Sequence, residues 1–247
     1  WMPVQTCFAG ILLAAMPLIA NLLGAGEKEK ISTVVRHGML LAVAFSVLII
    51  VGGVIFLPPF LQGMGLAPEV YHIALWYMAG LGIGVLPFFL ITPLRSLVDT
   101  LGYTKLSMKI YLLALPVNAF LNYVLIFGKL GLPRLGGIGA GVATGITFWL
   151  LLVMFAVVVT KLQPFSQYDV LGLVRPVKHL VAEYLRIGVP MGVAIFMETS
   201  IFGVVALFIA KFGTEVIAAH QAALNFSSLI YMFPMSFSLA LTIVVGV

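Results

Sequence analysis

One carboxylate lies where carboxylates are rare. Glu198 sits near the middle of the apolar stretch 187–210, among Phe196, Met197, Ile201 and Phe202. In a membrane-spanning helix, a charge at that depth opposes insertion by about 2.5–3.5 kcal/mol on insertion scales. A chain that keeps one there usually turns it toward a cavity or a partner. Desolvation favours the protonated form and a nearby cation favours the ionised one. A group balanced between those influences can exchange a proton or a metal cation for a cationic ligand. A neutral, hydrogen-bonded structural Glu is the alternative.

Asn118 and Asn122 are spaced i, i+4, which places both on one helix face just after Pro116. Two carboxamides on one face can offer oxygens to a cation, or they can bond a neighbouring helix. Tyr77 and Thr144, in neighbouring spans, are candidates for the same cluster. His220, Gln221 and Asn225 form a polar stripe in the last span, with Gln221 and Asn225 again i, i+4, and are candidates to line the cavity of Glu198. His220 and His72 read as interfacial hydrogen-bonding groups, and Asp99 as a solvated loop residue paired with Arg95, Lys105 or Lys109. Met191, Met197, Met232, Met235 and Phe233 are soft side chains of the kind that suit a promiscuous pocket, although such residues usually face lipid or another helix.

The elements that position these residues follow from composition. Of 247 residues, 62% are hydrophobic and 9% charged, against about 25% charged in an ordinary soluble domain. The mean hydropathy is +1.20. Too few charges remain to coat a soluble globule. The net charge of +5 comes from short basic patches between apolar runs, a membrane-flanking pattern rather than a nucleic-acid footprint. Seven runs have the length of a spanning helix: 1–23, 38–57, 71–92, 110–128, 138–160, 187–210 and 218–247. They are apolar all round, which excludes the alternating pattern of β-barrel strands.

Loops 24–37, 93–109 and 161–186 hold ten of the 13 Lys and Arg residues; Lys129, Arg134 and Lys211 lie elsewhere. The positive-inside rule puts the first set in the cytoplasm, so Trp1 is outside and Val247 inside. Residues 174–187 read as an amphipathic helix lying on the inner membrane face. Pro17, Pro87, Pro116, Pro190 and Pro234 each remove a helix hydrogen bond and permit a kink. Gly80, Gly82 and Gly84, and the run Gly137–Gly141, allow close helix approach. Cys7, the single cysteine, excludes an internal disulfide and reads as inert packing. The chain opens at Trp1 without a charged leader and stops at Val247 within an apolar run, from which we expect a fragment of a longer protein. No Walker A, HExxH or GxSxG pattern and no voltage-sensor helix is present.

Three stretches carry a family resemblance. Asn118-Ala-Phe-Leu-Asn122 with the following Leu135-Gly-Gly-Ile-Gly-Ala-Gly-Val-Ala-Thr144 is one; Gly188-Val-Pro190 leading to Glu198-Thr-Ser-Ile-Phe202 is another; Ala218-Ala-His220-Gln221-Ala-Ala-Leu-Asn225 running on to Pro234 is the most specific. They resemble the MATE (multidrug and toxic compound extrusion) family, NorM-type bacterial branch. The resemblance implies an all-α polytopic bundle, with these seven spans as helices two to eight of a twelve-helix, two-lobed transporter. Residues 1–160 would belong to the amino-terminal lobe, 161–186 would form a cytoplasmic inter-lobe loop, and 187–247 would open the carboxy-terminal lobe. It implies export of organic cations across the bacterial inner membrane in exchange for sodium ions or protons. Glu198 matches the acidic residue of the seventh helix, and Asn118 and Asn122 match the cation-site positions of the fifth; all three are candidate sodium ligands. Some relatives have Asp at the second position, where this chain has Asn122. Tyr77, Thr144, Gln221 and Asn225 are carried over as candidate binding residues. We expect a non-enzymatic, monomeric protein in the bilayer with no organic cofactor and no nucleic-acid partner. A flippase for a lipid-linked precursor is the alternative reading.

Overall fold

The structure, a computed structural model, describes residues 2–65, 67–131, 133–172, 174–209 and 212–246. Trp1 and Val247, whose sidedness the loop charges predict, and Lys211 lie outside these residues. Among the described residues there are nine α-helices: α1 (Met2–Leu12), α2 (Ala15–Gly24), α3 (Lys28–Gly63), α4 (Pro68–Ile83), α5 (Val85–Thr100), α6 (Thr104–Phe127), α7 (Gly137–Lys161), α8 (Lys178–Ile209) and α9 (Thr214–Gly246), with a short 3-10 helix at Phe165–Tyr168. They supply seven stretches long and apolar enough to cross a membrane, α1 with α2 and α4 with α5 each counting as one. Each expected span has its helix among the described residues, and several helices run on through charged turns, as with Lys28 and Arg36 ahead of 38–57, Arg95 and Asp99 after 71–92, and Lys105 and Lys109 ahead of 110–128.

Two of the seven are broken in the middle, and proline explains both. Pro87 has no amide to offer the carbonyl of Ile83, so the helix parts at Gly84. The indole Nε1 of Trp149 on α7 donates to that freed carbonyl at 2.9 Å. Pro17 likewise cannot serve Leu13, whose carbonyl takes the amide of Met16 at 3.0 Å instead. Met16 is thereby withdrawn from Leu12, and the Tyr184 hydroxyl donates to the Leu12 carbonyl at 2.6 Å. In a bilayer a freed backbone group must find such a partner. Pro116, Pro190 and Pro234 lie inside unbroken helices.

Two compact units result. One consists of Trp1–Val34 with Val177–Val247, the other of Val35–Pro176. In the second, α7 is the hub and packs on α4, α5 and α6. Glycines set its distance from α4: a Cβ at Gly141 would lie 2.6 Å from the Tyr77 carbonyl oxygen, and one at Gly145 2.8 Å from that of Gly80. The close approach predicted for 137–141 is therefore realised, against α4. Phe88 of α5 meets Phe148 edge-on at 5.1 Å, and Tyr111 of α6 meets Phe155 at 5.9 Å. The first unit is built on α1 lying along α8 and on α2 against α9.

Two expectations are corrected. Asp99 is not in a solvated loop: α5 continues past the apolar stretch to Thr100, burying Leu94, Leu97 and Val98, and leaves Asp99 only 7% exposed. Its Oδ2 accepts from Arg95 Nε at 3.1 Å, and the guanidinium lies 5.2 Å above the Tyr111 ring. Residues 174–187 are not a separate interfacial helix. Lys178 opens α8, which continues through Pro190, because nothing before Gly188 interrupts the backbone and Tyr184 is anchored at the α1–α2 break. The loop ahead of it is held down instead. Phe165, Tyr168 and Val170 are buried, Phe165 stacks edge-on against Tyr103 at 5.1 Å, and Arg36 of α3 grips Asp169. Arg36 donates from Nε to the Asp169 carbonyl at 2.9 Å, from Nη2 to the same carbonyl, and from Nη2 to Oδ2 at 2.9 Å.

Candidate functional site

The candidate residues form two separate groups, one in each unit. In the second unit, α6 turns Asn118 and Asn122 to one half-buried face, as their spacing requires. Asn122 Nδ2 donates to Asn118 Oδ1 and to its carbonyl oxygen, both at 3.0 Å. Asn118 Nδ2 donates to Thr147 Oγ1 of α7 at 2.9 Å, and Thr147 donates on to the Ala143 carbonyl at 2.8 Å. The result is a directed chain: Asn122 to Asn118 to Thr147 to backbone. Every link is a donor–acceptor pair, which leaves the Asn122 side-chain oxygen without a partner among the described residues.

Thr147 was not among the sequence candidates. It lies at i+4 from Ala143 with no charge or motif to mark it, and only the register of α6 against α7 brings it to Asn118. Thr144, the expected member, spends its hydroxyl on the Ala140 carbonyl of its own helix at 2.9 Å. Tyr77 faces α7 at Gly141, where its ring Cδ2 would be 3.1 Å from an added Cβ. Neither bonds the asparagine pair among the described residues.

In the first unit, Glu198 is exposed on α8, and Tyr231 of α9 lies close enough for its hydroxyl to interact with the carboxyl. Tyr231 too was missed by sequence reasoning, although it stands within the stretch that carried the resemblance. Its position 33 residues beyond Glu198 gives no local cue. Gln221 and Asn225 are exposed on α9, ten and six residues before Tyr231. At about 100° per residue they lie roughly 80° and 120° around the helix from it, on other faces. Immediately after Glu198, Thr199 Oγ1 lies 3.2 Å from Thr6 Oγ1 of α1 and donates to the Ile195 carbonyl at 2.8 Å. Among the described residues there is no cluster of three or more His, Cys, Asp or Glu side chains able to hold a metal. The groups on offer are one carboxylate, one phenol, two carboxamides and hydroxyls, a set suited to weak oxygen coordination of a hard monovalent cation or to pairing with an organic one.

Comparison with known proteins identifies the family of the chain. Over its full length of 247 residues the chain is 47% identical to the "Probable multidrug resistance protein NorM" of Oceanobacillus iheyensis. It is 46% identical, over 250 aligned residues, to the protein of the same description in Halalkalibacterium halodurans. The chain spans about half the length of these curated relatives, 55% and 54% respectively. It shares its fold with a multidrug resistance MATE family transporter of the MOP superfamily solved in outward-facing and inward-facing conformations. The TM-scores are 0.76 and 0.71 at 20% identity, covering 99% of this chain and 51% and 54% of those chains. With its seven membrane-length helices this is a multi-pass membrane protein. Residues 1–124 and 190–247 match MatE, and the chain belongs to that family.

Proposed function

We propose that this chain is part of a secondary antiporter that exports organic cations, drugs among them, across the bacterial cytoplasmic membrane in exchange for sodium ions or protons. The observation that carries the reading is Glu198, an acid in a membrane-length helix with the Tyr231 hydroxyl of the next helix beside its carboxyl. The chain's relatives, described as multidrug resistance proteins, support the cargo class.

In this reading the carboxylate is the exchange point. It binds either the coupling cation or the cationic cargo, and one negative charge cannot neutralise both. Tyr231 orients the carboxyl and supplies a second oxygen toward a bound cation. The Asn118–Asn122 pair, fixed by Thr147, offers carboxamide oxygen to a sodium ion in the other unit. The cycle is alternating access, with residues 1–160 in one lobe, 187–247 opening the second and 161–186 joining them. Coupling needs only that cation and cargo favour different conformations. That a MATE transporter of this fold exists in both facing states supports this cycle.

The test uses the full-length protein in proteoliposomes. A fluorescent organic cation is loaded and a sodium or a pH gradient imposed separately. We expect one gradient to drive dye movement and Glu198→Gln to abolish it with the protein still folded. Movement that survives in Glu198→Gln removes the exchange point. No movement under either gradient turns the reading toward a lipid-linked-precursor flippase.

A further inference from the structure

We propose that the outer face of α6 seats one anionic phospholipid, with Lys105 and Lys109 holding its phosphate. Neither the coupling ion nor the cargo enters into this assignment.

The face follows from the helical register. At about 100° per residue, Ser107, Ala114 and Leu125 turn to one side of α6 and are buried. The opposite side carries Lys105, Lys109, Leu112, Phe120, Tyr123 and Phe127, all exposed. Asn118 and Asn122 are not on it. Along that side the residues are ordered as a bilayer is. Two ammoniums come first and apolar carbon follows. Tyr123 and Phe127, whose ring centroids lie 5.5 Å apart, close the row. Lys105 to Tyr123 and Lys109 to Phe127 are each five turns, about 27 Å, close to the ~30 Å of a hydrocarbon core. Cations and aromatic rings are what membrane boundaries collect. The lysines therefore stand at one boundary and the rings at the other, and the carbon between them faces acyl chains. With loop 93–109 on the cytoplasmic side, as its charge predicts, the lipid belongs to the inner leaflet.

The two lysines lack an anion. No acidic residue occurs in α6. Asp99, the nearest acid in the chain, is buried and paired with Arg95, whose guanidinium lies over Tyr111, about 120° around α6 from Lys105. Elsewhere in the basic loops Lys30 pairs with Glu27 and Arg36 with Asp169, but among the described residues neither the Lys105 nor the Lys109 ammonium has an ion pair. At i, i+4 their Cβ atoms stand ~5–6 Å apart, a spacing at which like charges repel. One phosphate between the ammoniums cancels that repulsion and accepts a charge-assisted hydrogen bond from each. A free phosphate would meet the same two groups. A lipid phosphate is already held at this depth, and its chains lie along Leu112 and Phe120, so the apolar part of the face favours the lipid.

The experiment is native mass spectrometry of the full-length protein in detergent, titrated with phosphatidylglycerol and separately with phosphatidylcholine. The parent is expected to bind phosphatidylglycerol more tightly. A juxtamembrane lysine facing an anionic lipid is worth about fivefold in affinity. Lys105→Gln with Lys109→Gln is therefore expected to weaken phosphatidylglycerol binding about thirtyfold and to leave phosphatidylcholine binding and the melting temperature unchanged. Lys105→Arg with Lys109→Arg is expected to bind as the parent does. Arg175→Gln with Lys178→Gln, which removes equal charge from another basic stretch, is expected to have little effect, and a loss as large there overturns the site in favour of net charge. Equal binding of both lipids by the parent, or unchanged phosphatidylglycerol binding in the glutamine pair, also overturns it. Glycerol 1-phosphate is expected not to compete at equal concentration. Full displacement would make this a site for soluble phosphate and overturn the lipid. If the glutamine pair does not fold, Lys109→Gln alone is expected to weaken binding about fivefold, and an unchanged affinity there is equally fatal.

Discussion

Thr147→Val isolates the hydrogen-bonded chain on α6 and α7. Valine keeps the shape and removes the hydroxyl, which is 7% exposed as part of its residue and accepts from Asn118 Nδ2 at 2.9 Å. The lost bond to Ala143 matters little, because a helical carbonyl keeps its backbone partner. The lost bond to Asn118 is interhelical. Such bonds in membranes are worth about 0.6 kcal/mol on average and at most about 1.7, a factor of about 3 to 18 in an equilibrium constant. Asn118 then pivots freely, and Asn122, which donates to Asn118 Oδ1 at 3.0 Å, loses its fixed partner. If the two carboxamides hold sodium, half-saturating sodium should rise by a factor in that range, and Thr147→Ser should restore the parental value. The assay is a sodium titration of organic-cation movement in proteoliposomes, paired with thermal denaturation. A valine variant with a lower melting temperature and an unchanged sodium titration would refute the reasoning and leave the chain as helix packing.

Other perturbations read the scaffold. Gly141→Ala places a methyl 2.6 Å from the Tyr77 carbonyl and is expected to destabilise the protein by about 1–3 kcal/mol, whereas Gly82→Ala, with nothing within 4 Å, should be neutral or slightly stabilising in detergent-micelle melts. Arg95→Ala strands the buried Asp99 and should cost about 1–3 kcal/mol, the low side for a buried pair because Arg95 is itself 43% exposed; Asp99→Asn, which keeps a partner for the arginine, should cost less in the same melts. Asp169→Asn should be nearly silent, since that side chain is 84% exposed and Arg36 retains the backbone carbonyl, while Arg36→Ala should expose the 165–172 segment to limited proteolysis in membranes.

The spans were readable because a bilayer demands long apolar runs, and the five prolines were readable as lost hydrogen bonds. But nothing in the sequence told Pro17 and Pro87, where the helix breaks, from Pro116, Pro190 and Pro234, where it does not. The glycines of 137–141 announced close packing. What stayed hidden depends on register. Nothing near Thr147, Tyr231, Trp149 or Tyr184 marks them as partners of Asn118, Glu198, Ile83 and Leu12, because each pair is made by two helices distant in the chain. Asp99 was misplaced because charge was taken as the end of the helix. A helix in a membrane protein continues as long as its charged turns can pair, and Arg95 four residues earlier lets it do so.

The role of α7 as hub also bears on how the protein is made. Spans enter the membrane in chain order, and α4, α5 and α6 precede the helix they all lean on. Until α7 has been synthesised, the small-residue face of α4 around Gly80 has only lipid against it, and Asn118 lacks its interhelical acceptor. The second unit can therefore close only once residue 161 has left the ribosome. A nascent chain stalled before Gly137 would hold correctly inserted helices with no assembled bundle, the species a membrane quality-control protease is best placed to remove.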